Sequence, residues 1–80
     1  MDHEVLKRKY EIFTGVWKFY KKWAEKLPLD DMQWNQINQD AEALMEKYRE
    51  DVLTKEIILA AVMDMDIEDR RERRESLHSE

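Results

Sequence analysis

Set on a helix at about 100° per residue, residues 5–27 separate into two nearly clean halves. Val5, Leu6, Tyr10, Ile12, Phe13, Val16, Trp17, Phe19, Tyr20, Trp23, Ala24 and Leu27 fall within about 180° of arc. Lys7, Arg8, Glu11, Lys18, Lys21, Lys22, Glu25 and Lys26 fill the other half, and Lys9 alone intrudes. A helix packed on one neighbour needs an apolar stripe of only about 100°. The pattern therefore predicts a helix over residues 3–27 that touches two neighbours, or one neighbour and a partner.

Pro28 breaks this pattern, and the residues after it read as a helix start. Asp30 is placed to cap free backbone N–H groups, Gln33 to reach back to it, and Leu29 and Trp34 to form a hydrophobic staple. The helix that follows, over residues 31–50, carries Trp34, Ile37, Ala41, Leu44, Met45 and Tyr48 at alternating spacings of three and four. That is the ordinary stripe of a helix with one buried face. A second start is read at Thr54, with Leu53 and Ile58 as staple, opening a helix over residues 55–74. Ile57, Ile58, Ala61, Val62 and Met65 form its main stripe, while Leu59 and Met63 lie well round the cylinder. Asp66/Arg70 and Asp69/Arg73 stand four apart with the acid first, the better order for supporting a helix.

The expected fold is all-α: a three-helix antiparallel up-down-up bundle with short connections and a charged, partly frayed C-terminal helix end. Residues 1–75 form one domain, and residues 76–80 are expected to be a flexible tail. The expected core takes Leu6, Tyr10, Phe13, Trp17, Tyr20 and Leu27 from the first helix. To these it adds the stripe of the second helix and Ile58, Ala61, Val62 and Met65 from the third. Trp17, Trp23 and Trp34 are expected near the Pro28 turn. Gly15 falls on the polar half of the first helix, which argues against tight packing on a core neighbour.

Composition narrows the chemistry. The chain has 80 residues, one glycine, one proline and no cysteine. Disulfides and thiolate metal sites are therefore excluded, and a core this small gains from self-association. Met1, Asp2, His3 and Glu4 precede no apolar run of signal-peptide type, and Ile57–Met63 is too short to span a membrane. A cytoplasmic protein is expected. The net charge of −5 is unevenly spread: residues 1–27 carry +3 and residues 28–80 carry −8.

No catalytic constellation is apparent, and no enzyme activity, small-molecule substrate or cofactor is expected. Ser76 and Ser79 lie in the tail, Thr14 and Thr54 have no histidine near them in sequence, and His3 and His78 sit at opposite ends. Asp64–Asp69 resembles a calcium loop, but Asp69 stands at the sixth position, where the sharp turn needs glycine.

Two functional classes remain. Excess apolar surface points to a protein–protein interaction module, most simply a homo-oligomer, with Ile12, Phe19, Trp23, Leu59 and Met63 as the candidate interface. The alternative is an accessory nucleic-acid-binding protein using Lys7, Arg8, Lys18, Lys21, Lys22 and Lys26 on the basic face of the first helix. Interleaved acids and an overall acidic chain weigh against that alternative. The acidic second half could also imitate nucleic acid toward a basic partner, although solubility alone explains those acids.

Overall fold

In a computed structural model, which describes residues 1–78 and the side chains of residues 1–75, three aspartates start three helices. Asp2 accepts from the backbone N–H of Glu4 at 3.4 Å and opens α1 (His3–Ala24). Asp30 accepts from Gln33 N–H at 2.8 Å while the Gln33 side chain accepts from Asp30 N–H at 3.0 Å, a full capping box at the head of α2 (Asp31–Lys47). Asp51 accepts from Leu53 N–H at 3.1 Å and opens α3 (Val52–His78). Each cap satisfies N–H groups that have no partner within the helix.

The architecture is the expected all-α three-helix bundle. Every helix contacts both others, α1 and α3 run parallel and pack most extensively, and α2 is antiparallel to both. All regular structure among the described residues is helical.

The boundaries correct the sequence reading at four points: α1 ends at Ala24 rather than Leu27, α2 ends at Lys47 rather than Glu50, and both ends of α3 move outward. Helix α3 starts at Val52 rather than Lys55, with Asp51 in the capping role given to Thr54. Thr54 is buried, and its hydroxyl donates to the Tyr48 carbonyl at 3.3 Å, bracing the end of α2. Helix α3 also continues past residue 74 to His78. Of the expected tail, residues 76–78 are helical in backbone, and residues 79–80 lie outside the described residues.

The core comprises Ile12, Val16, Phe19 and Trp23 of α1, Leu29 of the connection, Ile37 and Ala41 of α2, and Ile58 and Met65 of α3. Tyr20, Leu27, Trp34, Leu44, Met45, Tyr48, Ala61 and Val62 pack against it half-buried. The expected contributions of α2 and α3 therefore stand, whereas the expected rotation of α1 does not. Leu6, Tyr10, Phe13 and Trp17, read as core, face outward. Trp17 consequently leaves the expected tryptophan group, with Trp23 buried and Trp34 half-buried at the core.

Polar anchors explain this rotation. Lys9 donates to both carboxylate oxygens of Asp51 at 2.7 and 2.8 Å, and Arg8 donates to the same group at 3.3 Å. Lys22 and the Trp23 indole donate to Asp40 of α2 at 2.9 and 3.0 Å, and the Tyr20 hydroxyl donates to Asp64 of α3 at 2.6 Å. Turning α1 by about 100° to bury Trp17 would break these bonds and strand the buried Asp51 without a cation. Gly15 fits the same rotation. It faces α2, where an added Cβ would meet Leu44 Cδ2 at 3.6 Å, so the residue assigned to the polar half lies at a helix contact.

Candidate protein-interaction surface

The outward line of α1 is Leu6, Tyr10, Phe13 and Trp17, at spacings of four, three and four. Their side chains are 52%, 71%, 54% and 59% exposed. Half-buried Tyr20 and Ala24 continue the line with spacings of three and four, giving an apolar repeat every 3.5 residues. Such a repeat keeps one seam of a helix facing a second helix along its length. The buried line Ile12, Val16, Phe19 and Trp23 has the same spacing and lies about 100° round the cylinder. Helix α1 thus carries two packing seams, one used inside the bundle and one left open.

Between the open seam and α3 runs a shallow groove lined by Phe13, Val16, Trp17, Tyr20, Ile57 and Ala60, closed at its edge by Ala61. The two alanines keep its α3 wall low, and the rings of Trp17 and Tyr20 stack along the α1 wall with centroids 6.2 Å apart. The Tyr20 hydroxyl ends on Asp64, and that hydrogen bond, aided by partial burial and the Asp64 charge, pushes its pKa up to about 12. Beyond the groove, Leu59, Met63 and Ile67 form an exposed stripe on the outer side of α3.

The residues nominated from sequence divide between these surfaces. Leu59 and Met63 are exposed, at 44% and 66%. Ile12, Phe19 and Trp23 are core residues of the protomer, which corrects their assignment to an interface: α1 does have apolar arc in excess, but the other half of it faces outward. Lys9 and Gly15 carried the missing signal. A cation inside the apolar arc marks a buried acid to be neutralised, and a helical glycine beside Ile12 and Phe19 marks the side approached by a neighbour.

The nominated basic face is partly committed within the chain. Arg8 pairs with Asp51 and Lys22 with Asp40, while Lys22 and Lys26 lie 4.9 and 4.8 Å from the centroid of the Trp23 ring. Lys7, Lys18 and Lys21 remain without an acidic partner among the described residues. At Asp40, burial raises the carboxyl pKa, but the Lys22 and Trp23 hydrogen bonds and the charges of Lys22 and Lys26 outweigh it and hold the value below normal. The Lys9 hydrogen bond chiefly, with those of Leu53 and Arg8, likewise holds the Asp51 carboxyl below the usual aspartate range.

The acidic run at Asp64–Asp69 is explained by helix contacts. Asp64 accepts from Tyr20, Asp66 pairs with Arg70 at 3.2 Å, and Asp69 faces the α1–α2 connection. No cluster of three or more potential metal ligands occurs among the described residues. The hydroxyls of Thr14 and Thr54 are both spent on backbone carbonyls, those of Tyr10 and Tyr48. Also among the described residues, no helix is long and apolar enough to cross a membrane.

No protein-family model matches this chain, and neither a curated protein nor a solved structure matches it.

Proposed function

We propose that this chain is a non-enzymatic protein–protein interaction module that self-associates through the open seam of α1 and the adjoining face of α3. The observation that carries this reading is the outward, 3.5-residue repeat of Leu6, Tyr10, Phe13 and Trp17.

Area supports it. At 54–71% exposure, Tyr10, Phe13 and Trp17 together present on the order of 350 Å² of aromatic surface. With Leu6, about half exposed, the open seam of α1 presents roughly 450 Å² of apolar surface. A standard interface removes about 800 Å² from each partner, of which roughly 450–500 Å² is apolar. The two quantities are comparable, and the largest apolar patch of this size on a small protein is often a functional one.

Sedimentation equilibrium at micromolar concentration tests the reading. The wild-type chain is expected to associate, and Phe13→Asp and Trp17→Asp are expected to be monomeric with unchanged helical circular dichroism. A wild-type chain that stays monomeric overturns it. Salt-sensitive binding of duplex DNA or RNA that depends on Lys18 and Lys21 would favour the nucleic-acid reading instead.

A further inference from the structure

The face proposed for self-association carries a carboxylate beside its groove, and that group selects an orientation for the second copy. Asp64 stands at the end of the groove, one turn beyond Ala60 and Ala61 on α3, with one oxygen, Oδ2, accepting from Tyr20, while its other oxygen has no hydrogen-bond partner among the described residues. In the protomer Asp64 is exposed to solvent. Once a second apolar face covers it, the carboxylate needs a counter-charge.

The chain carries a suitable cation at the same height. Arg8 and Lys9 reach Asp51, and Tyr20 reaches Asp64, across sequence separations of 43, 42 and 44. Helices α1 and α3 are therefore parallel and in register, and Lys21 lies level with Asp64. Lys21 is exposed and makes no ion pair among the described residues. On the cylinder of α1 it stands beyond Trp17, at the edge of the seam turned away from its own α3. Lys21 and Asp64 are thus level with each other on opposite sides of the α1 seam.

Resting on the self-association reading, we infer that two copies pack groove on groove about a two-fold axis parallel to the helices, α1 of each on α3 of the other, with Lys21 pairing the partner subunit's Asp64. A two-fold axis in this direction preserves height along the helices and exchanges the two sides of the face. It therefore brings the unpaired lysine to the half-satisfied carboxylate, and symmetry forms the contact twice. The product is a four-helix layer of two α1 and two α3 helices, with each α2 on the outside. A two-fold axis across the helices would instead run the partner in the opposite direction, set α1 against α1, and leave Asp64 covered without a cation.

Charge exchange tests the orientation. Lys21→Asp and Asp64→Lys each place like charges together twice, and each is expected to weaken self-association by roughly 10-fold to 100-fold in Kd. Asp64→Asn, which keeps an acceptor for Tyr20, is expected to weaken it less. Mixing the Lys21→Asp and Asp64→Lys proteins in equal amounts should restore a dimer, now obligately mixed, and so should the double variant Lys21→Asp/Asp64→Lys. All substitutions are at the surface, and circular dichroism checks that each variant is folded. If the wild-type chain associates but neither single charge reversal weakens it, or mixing restores nothing, the parallel arrangement is wrong and self-association stands. If the wild-type chain is monomeric, both readings fall.

Discussion

Asp69 of α3 accepts the backbone N–H of Leu29 at 2.8 Å, across 40 residues of sequence. Its other oxygen accepts from Arg73 Nε at 2.6 Å, and Arg73 in turn donates to the Leu29 carbonyl. One acid–base pair on a helix thus satisfies both polar groups of a buried peptide residue and ties the α1–α2 connection to α3. Read from spacing alone, Asp69 and Arg73 are a helix-supporting pair worth a few tenths of a kcal/mol. In the fold they are a clamp. Asp69→Ala leaves the Leu29 N–H buried without a partner and is expected to cost about 2–3 kcal/mol. Arg73→Ala, at a half-exposed side chain, is expected to cost about 1 kcal/mol. Urea unfolding with matched m-values measures both, and an Asp69→Ala loss no larger than that of Arg73→Ala would contradict the clamp.

Ile12 and Phe13 are neighbours in sequence with opposite roles. Ile12 is fully buried, so Ile12→Ala is expected to destabilise the protomer by about 2–5 kcal/mol. Phe13 faces outward, so Phe13→Ala is expected to change protomer stability by less than about 1 kcal/mol while weakening association. Thermal unfolding in dilute solution, where the protomer alone is observed, separates the two. The reverse ranking would mean that α1 is rotated from the orientation described.

Gly15 is dispensable by geometry. An added methyl would make an ordinary contact with Leu44, and the backbone is helical with no positive φ. Gly15→Ala is therefore expected to raise stability by about 0.5–1 kcal/mol, through helix propensity and a less flexible unfolded chain. A lower denaturant midpoint would show that α1 and α2 pack more closely here than described.

Asp51 makes the bundle acid-sensitive. Its carboxyl pKa is lowered in the folded chain, chiefly by Lys9, so the unfolded chain binds the proton more readily. The resulting stabilisation is fully present above the ordinary aspartate range near about pH 4 and is lost as pH falls through the lower folded value. Lys9→Met is expected to reduce this pH dependence and to lower stability at neutral pH. Unfolding curves between about pH 6 and pH 2 measure the slope, and an unchanged slope in Lys9→Met would assign the acid sensitivity to other groups.

The all-α class, the number of helices and the head of α2 were readable in the chain, because the signals that specify them are local. The capping box of Asp30 and Gln33 needs only residues three apart, and the apolar periods of α2 and α3 identify the faces that are in fact buried. The start of α3 was less readable. Asp51 caps it, and its burial makes sense only once Lys9 and Arg8 arrive from the far end of the chain.

The candidate surface divides along the same line. By itself the sequence determined that α1 has more apolar arc than one neighbour can cover, because periodicity is a property of the helix alone. Which half of that arc turns inward is a rotation about the helix axis, and the two lines of four apolar residues have identical spacing. Only the tertiary structure decided between them. The anchors Lys9–Asp51, Trp23–Asp40 and Tyr20–Asp64 join residues 17–44 positions apart, and hydrophobic pattern carries no information about pairs so distant.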